Sequence, residues 1–194
     1  MKLALKNMVL MVLLLLSVTA CVTSNPKLLN KYPPVDIAMT LKQVSPHVYY
    51  VQGKTGLASE HEGFMSNAGV IVTDEGIVVF DALGSPSLSQ KLINQIRKIS
   101  SQPIKKVIIS HYHADHFYGA QTFKELGARI YAPAGAMTYL NSEGADNRLK
   151  ERRDSLKPWV NEQTHLVIPD ELIDKDFSFQ MGGLDFKVLH FGSA

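Results

Sequence analysis

The feature that most constrains this chain is a group of three histidines and an aspartate within six residues. The segment His111-Tyr112-His113-Ala114-Asp115-His116 follows directly after an apolar, strand-like run. Imidazole nitrogen and carboxylate oxygen are ligands that zinc and other borderline metals accept. Since the whole chain has only 7 histidines, a polar loop with chance histidines is the poorer explanation. The segment predicts a metal site.

The spacing within this segment divides the ligands into two pairs. On an extended loop alternate side chains point to the same side, so His111 and His113 can meet one ion. Asp115 and His116 follow at the start of the next predicted helix and can reach a second, adjacent ion. Two divalent ions about 3.5–4 Å apart can clamp a reacting oxygen, and water bound to such an ion has a pKa of about 7. The spacing therefore favours metal-assisted hydrolysis.

The pattern of apolar residues predicts an α/β order around this site. Ser85 is expected to cap a helix that has Pro86 at its first position. A second helix is expected at 117–126, and a charged surface helix at 141–159. The predicted strands are 44–52, 67–73, 76–81, 106–110, 129–132, 164–169, 176–180 and 184–191.

The first 20 residues have the pattern of a secretory signal peptide. Lys2 and Lys6 form a positive start, 8–16 is apolar, and 18–20 is a run of small residues suited to cleavage. Without those two lysines, the 20 Lys and Arg of the chain fall to 18, which balances its 18 Asp and Glu. Because no basic patch stands out, no nucleic-acid partner is expected.

Cys21, the only cysteine, follows this cleavage site directly. The segment 16–21 resembles a bacterial lipobox, which implies lipidation of Cys21 and a membrane anchor; simple signal cleavage is the alternative. An anchored protein would lie on the periplasmic side of a bacterial envelope, and Val22 weakly favours the outer membrane. We therefore divide the chain into a signal peptide (1–20), a lipidated cysteine with its tether (21–39) and a catalytic domain (40–194).

The pattern His-x-His-x-Asp-His after a strand resembles the signature of the metallo-β-lactamase superfamily. Asn67-Ala68-Gly69 at the start of one strand and Val78-Val79-Phe80-Asp81 at the end of another are similar to early strands of that superfamily. The resemblance covers 44–194 and implies an α/β fold, the αββα sandwich, of which this chain supplies the N-terminal part.

The same resemblance implies roles for individual residues. His111 and His113 would bind a first zinc ion, and Asp115 and His116 a second. Asp115 would also have a catalytic role by positioning the metal-bound water, and Asp81 would orient the ligands from behind. The family pattern includes a third histidine for the first metal, a bridging aspartate and a final histidine, all beyond residue 194. We therefore expect the 194-residue chain alone to be inactive or nearly so.

Three functions are compatible with the cluster. The first is a zinc hydrolase in which metal-bound hydroxide attacks an ester, thioester or amide-like bond of a small molecule, with a β-lactam as one candidate. The second is an iron enzyme that oxidises persulfides, because the same ligands suit iron. The third is a metal-binding lipoprotein without activity. The three arginines Arg148, Arg152 and Arg153 either meet an anionic substrate or form a solvated helix face.

Overall fold

Seven strands form the main sheet of residues 31–192, which are the residues that the computed structural model describes. In sheet order they are β1 (Lys42–Gln43), β2 (Val48–Val51), β3 (Ala68–Thr73), β4 (Gly76–Phe80), β5 (Ile104–Ile108), β6 (Arg129–Pro133) and β7 (Glu171–Ile173). β8 (Phe177–Met181) and β9 (Leu184–Val188) form a separate hairpin. The helices are α1 (Pro86–Ile96), α2 (Ala114–Phe117), α3 (Ala120–Glu125), α4 (Ala136–Leu140) and α5 (Glu143–Ser155). None of the helices in this part of the chain is long and apolar enough to cross a membrane.

The main sheet changes from antiparallel to parallel pairing at β4. β1 to β4 pair antiparallel, and β3 and β4 are joined by a two-residue turn between the paired residues Thr73 and Gly76. β4 to β7 pair parallel, which requires crossover connections such as the one that contains α1. The predicted α/β order is confirmed, and the ends of β4 and β5 lie at the same edge.

The helix α1 begins as its sequence predicts. The Ser85 hydroxyl accepts a hydrogen bond from the backbone N–H of Leu88 at 3.1 Å, and Pro86 occupies the first turn. Leu88, Leu92 and Ile96 are completely buried, so this face of the helix packs on the sheet and sets the position of the loop that precedes it.

Both faces of the main sheet are covered. Ile77 and Val79 of β4 belong to the main core with α1, whereas the intervening Val78 belongs to a second core, as the two-residue period of a strand requires. The β8–β9 hairpin covers this second face, and its Phe179 and Phe186 rings stack at 4.6 Å. The layer order of helices, sheet and second sheet agrees with the N-terminal part of the predicted sandwich.

Packed residues precede the predicted domain start at residue 40. Tyr32, Val35 and Met39 are 6%, 7% and 5% exposed, and the Tyr32 hydroxyl donates a 2.8 Å hydrogen bond to Glu125. Residues 31–39 therefore belong to the packed domain, because their few apolar side chains bury against it although they lack periodicity. The signal peptide and Cys21 lie outside the described residues.

The predicted strand at 164–169 does not form. The Thr164 hydroxyl closes a turn by accepting from the N–H of Asn161 at 3.0 Å, and the Thr164 carbonyl accepts from Arg153 at 2.6 Å. These side-chain contacts replace strand pairing. The strand β7 begins only at Glu171.

Asp170 fixes the start of β7 to its neighbours. Its carboxylate accepts a hydrogen bond from the N–H of Ile130 at 2.8 Å and forms an ion pair with Lys124 at 3.1 Å. Partial burial opposes ionisation, but the hydrogen bond and the lysine charge outweigh it and hold the pKa of Asp170 below its ordinary value.

The helix predicted at 117–126 is shorter in the structure: α2 ends at Phe117 and α3 spans Ala120–Glu125, with Gly119 as its N-cap residue. A Cβ atom at Gly119 would lie 1.8 Å from the Ser89 hydroxyl and 2.0 Å from the Ala82 carbonyl oxygen. Only glycine allows the chain to pass this close to the loop after β4, and this passage brings α2 against the end of the sheet.

Candidate functional site

The predicted ligands lie at the edge of the sheet where β4 and β5 end. Asp81 follows β4, Ser110 follows β5 after one residue, and His111 begins the loop that leads into α2. His113 is the N-cap residue of α2, whose first turn carries Asp115 and His116. Because parallel strands end at the same edge, side chains that follow them converge there.

Three hydrogen bonds hold the Asp81 carboxylate, two from Ser110 at the end of β5 and one from His116 of α2. One carboxylate oxygen accepts from the backbone N–H of Ser110 at 2.7 Å. The other accepts from the Ser110 hydroxyl at 2.9 Å and faces Nδ1 of His116 at 2.8 Å. The Asp81 side chain is 6% exposed. Its carboxylate is therefore shielded from water and held by Ser110 and His116.

The backbone at Asp81 has an unusual conformation. Its φ is +65°, in the left-handed region, and Leu83 has φ +64°. Aspartate tolerates this region better than most residues, but such conformations persist only where the surroundings hold them. Here the N–H of Asp81 donates to the Ile108 carbonyl at 2.9 Å, and the N–H of Ala82 donates to the His116 carbonyl at 2.8 Å. The strained turn thus holds the carboxylate beneath α2.

This network assigns the tautomers of two histidines. Ionised Asp81 can only accept, so Nδ1 of His116 donates to it; in the neutral ring the lone pair is then on Nε2, which faces Asp115 Oδ2 at 3.4 Å. The single hydroxyl proton of Ser110 goes to Asp81, so Nδ1 of His111, 2.9 Å from that hydroxyl, donates to it. Nε2 of His111 is then also free to bind a metal. Such control of the tautomer by a carboxylate behind the ligand is common in metal sites.

The predicted ligands lie close to one another. The ring centroid of His111 is 4.6 Å from that of His113 and 4.1 Å from that of His116. Asp115 Oδ2 is 3.4 Å from Nε2 of His116. The structure therefore brings all four predicted ligands together, with Asp81 directly behind them.

The charges of the site act on its histidines in opposite directions. Burial, followed by the charges of His116 and His113, lowers the pKa of His111. Burial also disfavours protonation of His116, but the hydrogen bond and charge of Asp81, together with the charge of Asp115, outweigh it and raise its pKa. A proton thus competes with a metal ion more strongly at His116 than at His111.

A neighbouring contact fixes the backbone of Asp115. The Ser66 hydroxyl donates to the Asp115 carbonyl. A Cβ at Gly84 would lie 3.3 Å from Cα of Asp115 and 2.8 Å from the Gly63 carbonyl oxygen. The loop after β4 therefore packs its backbone directly against the first turn of α2.

The donor set fits zinc by atom type and by tautomer. Within residues 31–192, however, no three or more His, Cys, Asp or Glu side chains are arranged so that they could hold a metal ion. Two imidazoles on one tetrahedral ion, each bonded at about 2.1 Å, would place their ring centroids roughly 5 Å apart. The centroids of His111 and His113, the pair predicted for one ion, are 4.6 Å apart. The residues are suitable ligands, but this part of the chain does not arrange them around an ion.

A cavity of about 320 Å³ opens beside Asp115. Its lining is mixed: Leu57, Met65 and Leu156 contribute apolar surface, and Asp115 and Arg152 of α5 contribute charged groups. The sequence left open whether the arginines of this helix meet a substrate or solvent. The structure separates them: Arg152 lines the cavity, whereas Arg148 forms an ion pair with Glu151 at 3.2 Å.

Sequence reasoning missed Ser110 and the cavity. Ser110 is a common polar residue after a strand, and no pattern marks it as the link between Asp81 and His111. The position of Arg152 depends on how α5 packs, which its charged sequence does not specify. The one signal that could have identified Ser110 is its place as a polar residue between an apolar strand and the His111–His116 segment.

Comparison with known proteins identifies relatives of this chain. The family model described as the metallo-beta-lactamase superfamily matches residues 61–190. A linear primary-alkylsulfatase of Pseudomonas sp. (strain ATCC 19151) is 32% identical over 82 residues, which are 39% of this chain and 16% of the relative. A metallo-beta-lactamase type 2 of Bacillus cereus is 34% identical over 73 residues, which are 38% of this chain and 28% of the relative. The chain thus matches less than a third of either curated relative.

Solved structures share the fold. A metallo-beta-lactamase from Pontibacter korlensis superposes with a TM-score of 0.57 and 18% identity, over 77% of this chain and 59% of that one. A stereoselective inverting sec-alkylsulfatase from Pseudomonas sp. superposes with a TM-score of 0.56 and 20% identity, over 84% of this chain and 31% of that one. At these identities the likeness concerns the fold alone.

Proposed function

Because the chain belongs to the metallo-beta-lactamase superfamily, we propose that it forms the N-terminal part of a metal-dependent hydrolase. The observation that carries this proposal is the contact of Asp81 with Ser110 and His116. A structural carboxylate needs only hydrogen-bond donors. Asp81 does more, since it favours, directly at His116 and through Ser110 at His111, the neutral tautomer whose Nε2 can bind a metal.

We propose zinc as the metal, with two ions in the complete enzyme and with His111, His113, Asp115 and His116 as ligands from this chain. When bound, zinc supplies a Lewis acid and a water of lowered pKa. The chain's own residues contribute orientation. Asp81 and Ser110 hold the two imidazoles, and Asp115, with 39% of its side chain exposed beside the cavity, can accept a proton at Oδ2.

The proposed substrate is a small molecule with an ester, thioester or amide-like bond. The named relatives include both alkylsulfatases and metallo-beta-lactamases, so sulfate esters and β-lactams are candidates. The cavity beside Asp115 has a volume suited to part of a small molecule. Among the described residues, no contact favours the persulfide-oxidising function over hydrolysis.

The proposal is tested on the longest form of the protein, after metal removal and after zinc is restored. Substrates would be a chromogenic β-lactam, a nitrophenyl acetate, a nitrophenyl sulfate and a thioester. We expect zinc-dependent turnover of at least one substrate, which is lost in Asp115→Asn and kept in the control His165→Ala, whose exposed side chain lies outside the site. Turnover that survives metal removal, or none with any substrate, would contradict the proposal. Iron in place of zinc in the purified protein would overturn the choice of metal.

We also propose that Cys21 is lipidated after removal of residues 1–20 and anchors the protein on the periplasmic side of a bacterial envelope. The support is the sequence pattern alone. Mass spectrometry of the mature N-terminus tests it: a lipidated Cys21 is expected, and a free thiol at the same position would contradict it.

A further inference from the structure

The cavity beside Asp115 combines an apolar wall with one arginine. Leu57, Ala58, Met65 and Leu156 contribute the apolar surface, and Arg152 is the only basic residue among the residues that line it. Leu156 is 3% exposed, so the wall on this side is part of the packed core and keeps its shape. Such a cavity suits a molecule with one apolar part and one charged group.

The guanidinium of Arg152 differs from those of its neighbours on α5. Arg148 is paired with Glu151 at 3.2 Å. Arg153 donates to the carbonyl oxygens of Asn161 at 3.1 Å and Thr164 at 2.6 Å. Both of these arginines are therefore occupied by contacts that stabilise the fold.

Arg152 makes no side-chain hydrogen bond or ion pair with any residue of the described part of the chain, although it is only partly exposed. The charge of Arg152 reaches the buried Tyr118. Burial raises the pKa of the Tyr118 phenol, and the positive charges of Arg152 and Arg148 oppose that rise. A guanidinium presents five N–H donors in a planar fork that matches carboxylates and sulfates. A guanidinium that has no partner among the described residues and lines a cavity is available to bind an anion there.

We propose that Arg152 binds an anionic group of the substrate, and that the apolar wall of the same cavity holds the neighbouring hydrocarbon part. This inference rests on the proposed hydrolase function and defines its substrate class as amphiphilic anions. Asp115 lines the same cavity, so an anion held by Arg152 places the adjoining part of the molecule beside the predicted ligands. Like charges repel, and the carboxylate of Asp115 keeps the anionic group on the arginine side.

The test measures binding, because binding can be observed without turnover. Hexyl sulfate and the uncharged hexan-1-ol are titrated into the longest, chelator-treated form of the protein and followed by NMR. We expect hexyl sulfate to bind at least about tenfold more tightly than hexan-1-ol, as a charge-assisted contact of roughly 1.5–3 kcal/mol implies. Arg152→Gln should abolish this preference, Arg152→Lys should keep part of it, and the matched control Arg148→Gln should keep all of it.

Two results would overturn the proposal: equal binding of hexyl sulfate and hexan-1-ol to the wild type, or an unchanged preference in Arg152→Gln. Hexanoate, titrated in the same way, distinguishes a carboxylate from a sulfate as the preferred group. Metal content is measured in parallel on protein that has not been treated with chelator, and it should be the same in Arg152→Gln as in the wild type. Failure of metal binding would contradict the proposed hydrolase and leave the anion preference measurable, so the two failures are distinguishable.

Discussion

Replacement of Asp81 by asparagine should weaken zinc binding by reversing a tautomer. Asparagine keeps the size of the side chain but exchanges one accepting oxygen for an NH₂ group. If its carbonyl oxygen remains on the N–H of Ser110, the NH₂ group faces Nδ1 of His116. Since a donor cannot face an N–H, the proton of His116 moves to Nε2, and this nitrogen loses the lone pair that a metal would use.

The expected magnitude follows from the contacts that are lost. A hydrogen bond to a charged group contributes about 1.5–3 kcal/mol, and the Asp81 side chain is 6% exposed, so water does not replace the contact readily. Loss of a carboxylate behind a metal ligand typically weakens metal binding about 10–100-fold. We therefore expect a loss of zinc affinity in this range and a fall in the free energy of unfolding of about 1–3 kcal/mol.

Two measurements check the reasoning on the longest form of the protein. Nitrogen-15 NMR of the metal-free protein should show the Nδ1–H tautomer of His116 in the wild type and the Nε2–H tautomer in Asp81→Asn. Competition with a chromophoric chelator should show the loss of zinc affinity, whereas the exposed control Asp154→Asn should behave as the wild type. A variant that keeps both the wild-type tautomer and a zinc affinity within about twofold would refute the argument.

Two further predictions concern stability. Gly119→Ala places a Cβ 2.0 Å from the Ala82 carbonyl oxygen and should lower the free energy of unfolding, measured by chemical denaturation, by at least about 1–3 kcal/mol. The control Gly135→Ala, whose nearest contact is at 3.6 Å, should lower it much less. Equal losses in the two variants would contradict the packing described. The pKa of Asp170 is lowered in the folded protein, so its contribution is present above the ordinary value of about 3.8 and is lost as the pH falls through the lower folded value. The stability advantage of the wild type over Asp170→Asn should therefore vanish at low pH; an advantage that grows on acidification would show that the sign is wrong.

The elements around the site were predictable because their patterns are local. The adjacent strands β3 and β4, predicted at 67–73 and 76–81, and the Ser85–Pro86 start of α1 depend on neighbouring residues, and both formed as expected. The predicted ligands His111 to His116 also come together, since one short segment carries all of them. Their role as metal ligands stays a prediction.

What the sequence did not predict depends on contacts between distant residues. Tyr32 is buried and donates a hydrogen bond to Glu125, which is far away in the sequence. No local pattern marks the segment of Tyr32 as part of the domain. Gly119, between α2 and α3, lies against the backbone of Ala82, a residue that is far from it in the sequence. Ser110 joins Asp81 to His111 only because β4 and β5 lie side by side, which requires the sheet to be known.

The most direct test of the account is the metal content of the longest form of the protein, measured by elemental analysis beside two variants. The wild type should retain zinc, His116→Ala should lose it, and His165→Ala, whose exposed side chain lies outside the site, should retain it. A wild-type protein that binds no metal, or a His116→Ala variant that binds as much as the wild type, would contradict the central claim that Asp81 and the His111–His116 segment form a metal site.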